Sequence, residues 1–217
     1  MKFVDLSHAI AHGTAAYPGL PQPAFTAHLT REESRRNYDG ASEFQIDHIA
    51  MVGNTGTYLD SPFHRFEGGA DLAALDLSRL ANLAGVVVHV PRDVRAIEPE
   101  IIPRDLPAGG CVLLDTGWDR HWNTGAYAVD APYLTRKAAE ILARAEVALV
   151  GIDAVNMDDT ADGARPAHTV LLENDIAVVE HLCNLGQLDG EPFRFFAVAP
   201  PLRGVGTFTV RAFAILH

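Results

Sequence analysis

Apolar residues along this chain cluster in short runs separated by turn-forming residues, a pattern that predicts more strand than helix. Val86-Val87-Val88-His89-Val90, Cys111-Val112-Leu113-Leu114 and Val147-Ala148-Leu149-Val150-Gly151-Ile152 are compact and aliphatic, as strands covered on both faces tend to be. Residues 43–52 alternate in part, with Phe44, Ile46, Ala50 and Val52 on one parity, and predict a strand leading into a glycine-bearing loop. Residues 193–198 and 208–215 predict two more strands, the first preceded by an Asp189-Gly190 turn signal. Helical spacing is clearest over residues 135–145, where Ala138, Ile141, Leu142 and Ala145 recur and Thr135 suits an N-cap. Residues 71–83 put Leu72, Leu75, Leu80 and Leu83 on a broad face and predict a second helix. A third is predicted from Glu180 through His181, Leu182 and Leu185, ended by Gly186. No linker, charge block or repeat divides the chain, so the expectation is one mixed α/β domain over residues 1–217.

Composition adds exclusions rather than identity. Hydrophobic residues make up 48% and charged residues 21% of the chain, enough to bury a sizeable core. A formal net charge of −11 opposes nucleic acid and anionic membrane as partners, because both would be repelled. No apolar run approaches the roughly 20 residues of a membrane span. Polar residues interrupt the N-terminal segment where a signal peptide would carry a continuous apolar core. Cys111 and Cys183, far apart in apolar settings, read as buried reduced thiols, and the expected location is cytoplasmic.

The stretch richest in candidate chemistry is Asn54-Thr55-Gly56-Thr57-Tyr58-Leu59-Asp60-Ser61-Pro62-Phe63-His64. Gly56 permits a sharp turn, and Pro62 stiffens the exit while biasing Ser61 toward extended backbone. Asp60 and His64 are thereby held on a short segment, where a carboxylate and an imidazole can bind a metal or pass a proton. Taken alone, an Asp near a Pro caps a turn at least as often.

The loop resembles the H-x-G-T-H-x-D-x-P-x-H motif of the cyclase family, which includes bacterial kynurenine formamidase and isatin hydrolase. Gly56, Thr57, Asp60, Pro62 and His64 stand in register with it. The similarity runs nearly the length of the chain, through Asp5-Leu6-Ser7, Tyr17-Pro18-Gly19, Leu114-Asp115-Thr116-Gly117-Trp118, Gly151-Ile152-Asp153, His168 with Leu171-Leu172, Glu180, Pro200-Pro201-Leu202 and Val210-Arg211-Ala212. By position, the resemblance implies that Asp60, His168 and Glu180 are metal ligands and that His64, with Asp60, does the acid–base work. It also implies a swivelling β/β/α fold with a mixed central sheet, a homodimer or homotetramer, and a small-molecule substrate. The implied reaction is arylformamidase-like: activated water cleaves or opens a small aromatic amide or cyclic amide. Family members also open lactones.

Two departures matter. Where the family has its first two motif histidines, this chain has Asn54 and Tyr58. An amide oxygen is a weak ligand and a phenol binds usefully only when deprotonated, so a two-metal centre is not expected. Two arrangements remain open. One divalent ion, zinc or manganese, would sit on Asp60, His168 and Glu180. Alternatively, a metal-free site would use Asp60 or Glu180 with His64, leaving Asn54 and Tyr58 to contact substrate. A non-catalytic small-ligand binder that lost the metal pair is the remaining alternative. Tyr17 and Trp118 are candidates for an aromatic substrate pocket, and Arg203 for a substrate carboxylate. His48 shares parity with Asn54 on the strand entering the motif, which allows a pocket-facing position, but a strand-face role is preferred; the remaining histidines, His217 among them, show no partner pattern. Gly204-Val205-Gly206 lacks the third glycine of a phosphate loop, and no serine stands in a nucleophile elbow.

Overall fold

The computed structural model describes residues 1–14, 17 and 19–216; Pro18 of the opening segment and His217 lie outside the described residues. The strands are β1 (Lys2–Asp5), β2 (Ala24–Leu29), β3 (Ile46–Ala50), β4 (Tyr58–Asp60), β5 (Leu83–His89), β6 (Ala96–Ile97) and β7 (Cys111–Asp115). They continue with β8 (Tyr133–Leu134), β9 (Leu149–Ile152), β10 (Ala177–Glu180), β11 (Phe193–Phe196), β12 (Thr207–Thr209) and β13 (Phe213–Leu216). The α-helices are α1 (Arg31–Asn37), α2 (Arg136–Arg144) and α3 (Pro166–Glu173).

Nine strands form one sheet in the order β1-β13-β11-β5-β7-β9-β10-β4-β12, parallel from β5 to β10 and antiparallel elsewhere. Successive side chains of a strand go to opposite faces, so the parallel strands serve two cores. In β7, Val112 and Leu114 share a core with Ala138 and Leu142 of α2 and Leu171 of α3. Cys111 and Leu113 share the other with Leu59, Leu182 and Phe195. All four β7 residues are 0% exposed, which is why the run is continuously apolar instead of alternating. The second core draws on Val4 in β1 and Leu59 in β4, near opposite ends of the strand order, so the sheet curls around it. A bridge between Ser7 and Leu182 and the 3.0 Å bonds Leu6 N to Ala212 O and Cys183 N to Leu6 O close that seam. Two β layers from one curled sheet, with α2 and α3 as the third layer, make the mixed-sheet β/β/α architecture that was expected. No helix among the described residues is long and apolar enough to cross a membrane.

Helix α2 forms where the spacing predicts it, with Thr135 Oγ1 accepting from Ala138 N at 3.3 Å. Residues 71–83 do not form the expected helix. Asp71 Oδ1 accepts from Ala73 N and Ala74 N, and Asp76 Oδ1 from Ser78 N, so side chains take up amides a helix would pair with carbonyls. Leu72, Leu80 and Leu83 are buried all the same; their spacing tracks burial, not helix. Glu180 ends strand β10 instead of opening a helix. His181 and Asn184 take φ of 58° and 60°, and only the 3-10 turn Leu185–Leu188 follows. Residues 208–215 divide into β12 and β13. The alternation in 43–52 produces β3, but it pairs only with β2 and is exposed throughout, so His48 faces no pocket. Both cysteines are free and buried, as expected.

Candidate active site

Strand register assembles half of the site. β4 lies between β10 and β12, which sets Tyr58 opposite Glu180 and Asp60 opposite Thr207. The Tyr58 phenol donates to Glu180 Oε2, and the Thr207 hydroxyl donates to Asp60 Oδ1. Upstream, Gly56 has φ 65°, and a Cβ there would meet the Ile10 side chain at 2.6 Å. Downstream, the 3-10 turn Pro62–His64 packs so tightly on Gly206 that a Cβ at that glycine would lie 2.5 Å from His64 N. His64 Nδ1 is thereby held 2.7 Å from Thr207 Oγ1. Because the single Thr207 proton goes to the carboxylate, Thr207 Oγ1 accepts from His64 Nδ1–H. His64 Nε2 is left with the free lone pair.

Helix α3 supplies the rest. Its first turn is held by Asp158, whose carboxylate accepts from Ala167 N at 2.5 Å and His168 N at 3.1 Å. The same carboxylate fixes His168 Nδ1 at 2.6 Å, so Nε2 is directed at Asp60 Oδ2 and Glu180 Oε1, each 3.5 Å away. Asp60, His168 and Glu180 are 1%, 5% and 1% exposed, and one ligand atom of each lies within 4.8 Å of the others.

The electrostatics follow from two carboxylates in a dry place. Burial pushes Asp60 up, but the His168 contact, the His64 and His168 charges and the Thr207 hydroxyl outweigh it and hold the carboxyl below its ordinary value. Burial pushes Glu180 up; His168 opposes this and the Asp60 charge adds to it. Burial disfavours a charged His168, yet Glu180, Asp158 and Asp60 together raise it well above an ordinary histidine. The group therefore demands a cation, supplied by a proton on His168 or by a metal ion.

The residues fit a single divalent ion. Asp60 Oδ2 is buried without a hydrogen-bond donor; His168 Nε2, at 3.5 Å, makes a charge contact only. His168 presents one bare nitrogen while its other nitrogen is braced by a carboxylate, as metal-ligating histidines commonly are. Among the described residues a second ion has no cage. The Tyr58 phenol is committed to Glu180, bonded to Asn54, buried, and raised well above its ordinary value by burial and by the Glu180 and Asp60 charges, so it stays protonated.

These groups floor a cavity of about 290 Å³. Asn54, Tyr58 and His64 line it beside the acidic group, and Tyr17, Leu20, Arg65 and Arg165 also contribute. Trp118 does not line this cavity. Its indole N–H donates to Tyr127 O at 2.8 Å and its ring packs against Tyr127 and Val155, so it is a packing residue. Arg203 does not line it either.

The Cyclase family model, described as “Putative cyclase”, matches residues 4–159. This chain belongs to the cyclase family. Among its relatives, the kynurenine formamidase of Salinibacter ruber is 28% identical over 222 residues, covering 100% of this chain and 98% of the relative. An isatin hydrolase bound to the product analogue thioisatinate superposes with a TM-score of 0.85 at 20% identity, covering 100% of this chain and 93% of that one. A potential metal-dependent hydrolase with cyclase activity gives 0.80 at 24% identity, covering 98% and 96%. Both structures share the cyclase fold.

Sequence reading missed Asp158, Thr207, Asn156 and Arg165. Asp158 had the best available signal, an acidic residue ten positions before a candidate ligand histidine. Thr207 had none, because only strand pairing brings it to Asp60.

Proposed function

We propose that this cyclase-family member is a hydrolase that cleaves or opens small aromatic amides, arylformamides or lactams, at the C–N bond with activated water. The observation that carries the proposal is a buried Asp60–His168–Glu180 group with a bare carboxylate oxygen, set beside a histidine whose tautomer leaves Nε2 free. The similarity to kynurenine formamidases supports the substrate class.

Asp60, His168 and Glu180 would hold one divalent ion, zinc or manganese. Such an ion would supply positive charge that polarises a carbonyl and acidifies water. His64 Nε2 takes the proton from the attacking water while the water oxygen bonds the carbonyl carbon. When the C–N bond breaks, the same nitrogen returns the proton to the departing amine. Thr207 and Asp60 keep His64 in the tautomer this requires. Asn54 orients the substrate carbonyl, Tyr58 fixes Glu180 through its phenol, and Tyr17 flanks the aromatic ring. The proposal extends to a homodimer or homotetramer in the cytoplasm, supported by exposed Ile46 and Ile49 on the β2–β3 ribbon and by the two free cysteines.

The test is turnover of formanilide and isatin by manganese- or zinc-loaded protein. Asp60→Asn and His64→Ala are each expected to lower kcat/KM by about 10²-fold or more. Turnover that neither change affects, or none on any aryl amide or lactam by metal-loaded protein, defeats the reading.

A further inference from the structure

Two guanidinium groups line the same cavity as the acidic centre. Arg65 directly follows His64, and Arg165 stands three residues before His168. Arg165 is pinned by neutral acceptors: Nη1 donates to Asp159 O at 2.8 Å and Nη2 to the Tyr17 hydroxyl at 3.3 Å. Arg65 Nη2 donates to Ala164 O at 3.1 Å. Among the described residues neither guanidinium pairs with a carboxylate. The nearest candidate for Arg165, Asp159, is taken by Arg95 at 2.7 and 2.9 Å. An arginine carries five N–H donors in a planar fork, and most of those on Arg65 and Arg165 remain unspent.

Arg165 is also held in place. Its φ of 49° is a left-handed state that a residue with a Cβ adopts reluctantly, and Pro166 follows at once. Its own carbonyl accepts from Thr169 N at 3.0 Å and from Thr169 Oγ1 at 2.8 Å. A backbone fixed in this way beside a cavity is typical of positions where a side chain must be aimed. Leu20 and the Tyr17 ring add apolar surface to the same wall. The cavity thus combines an acidic, cation-demanding floor, apolar surface, and fixed cationic donors. Arg203, the sequence candidate for binding a carboxylate, instead lies next to the loop where Gly204 N donates to Asp71 Oδ2 at 2.7 Å.

We infer that Arg165, with Arg65 beside it, forms a subsite for a carboxylate carried by the substrate away from the scissile bond. The preferred substrates are then aryl amides with an anionic substituent. The amide part of this statement rests on the hydrolase reading above; the anion part does not. Paired Arg–carboxylate contacts give both charge and planar geometry, so the neutral analogue of the same amide should be discriminated against.

Two measurements on metal-loaded protein test this independently. The first compares 4-formamidobenzoate with formanilide in wild type, Arg165→Gln, Arg165→Lys and Arg65→Gln. Wild type is expected to favour the carboxylate at least ~10-fold in kcat/KM. Arg165→Gln should collapse that ratio mainly through KM, and Arg165→Lys should restore part of it. The second titrates benzoate and benzamide calorimetrically, with no turnover involved. Benzoate should bind wild type more tightly than benzamide, and the preference should be lost in Arg165→Gln. Benzoate binding that neither arginine substitution weakens places the anion on the acidic centre's cation and overturns the subsite, as does amide turnover without carboxylate preference. If no amide is turned over while the benzoate preference still depends on Arg165, the subsite stands and the hydrolase reading falls.

Discussion

At the level of single residues, the site depends on hydroxyl groups that join charged partners. Thr207 accepts from His64 and donates to Asp60, so one hydroxyl fixes an imidazole tautomer and satisfies a buried carboxylate oxygen. Thr207→Val, nearly the same shape, should free His64 to rotate or change tautomer. We expect kcat to fall about 10-fold or more with KM little altered, while Thr207→Ser restores most of the rate. Unchanged kcat in the valine variant would exclude the relay. Tyr58 plays the corresponding part for Glu180. Its phenol stands where the family motif has a ligand histidine, and its bond to the carboxylate explains how the chain tolerates the change: a donor replaces a cation as partner for Glu180. Asn54, bonded to that phenol, follows the same logic. Both substitutions are plain in the sequence, but the bond that accommodates them is not.

At the level of elements, each member of the buried Asp60–His168–Glu180 group arrives on its own scaffold. Asp60 ends β4, Glu180 ends β10, and His168 sits in the first turn of α3. The helix start is the least obvious of the three, since its N-cap residue, Arg165, provides no side-chain cap. Asp158 does that work across nine residues of chain and orients the His168 imidazole through Nδ1. Asp158→Asn leaves one acceptor oxygen: kept at Oδ1 for Ala167 N, it puts an NH2 donor where Oδ2 braces His168 Nδ1 and so weakens that brace. We expect manganese or zinc binding, measured calorimetrically, to weaken ~10- to 100-fold. Unaltered affinity would show that the Asp158 brace does not set His168 for the ion. The resembling segments after β7 and β9 have a comparable structural explanation: Asp153 accepts from Thr116 N at 2.9 Å and Gly117 N at 2.6 Å, clamping the two strand ends together. Their match to the family therefore reflects a strand clamp and not a set of reacting groups.

At the level of the whole molecule, closure of the curled sheet also buries ionisable groups outside the Asp60–His168–Glu180 group. His8 stacks on Trp122 with ring centroids 4.1 Å apart, and burial lowers its pKa from 6.5 to about 4 against the opposing pull of Asp119. Between those values the unfolded chain takes up a proton that folded His8 refuses. Its contribution to stability is thus full above pH 6.5 and lost as pH falls toward 4. Lowering the pH from 7 to 5 should reduce the melting temperature of wild type more than that of His8→Gln; equal losses would show that His8 does not titrate this way. Strand positions, helix α2 and the three residues that meet in the buried acidic group were readable in sequence because alternation, capping residues and motif spacing are local or survive as fixed offsets. The leucines of 71–83 misled because burial imposes a spacing of its own, whatever the backbone does. Sequence by itself determined that strands dominate, that two histidine positions are altered, and that Asp60, His168 and Glu180 are the residues to watch. Only tertiary structure decided that they share one dry cavity, that Thr207 and Asp158 set the two histidines, and that Arg65 and Arg165 line it. The reason is physical: strand register and helix placement are fixed by packing between distant segments, and no local pattern encodes which side chains then meet.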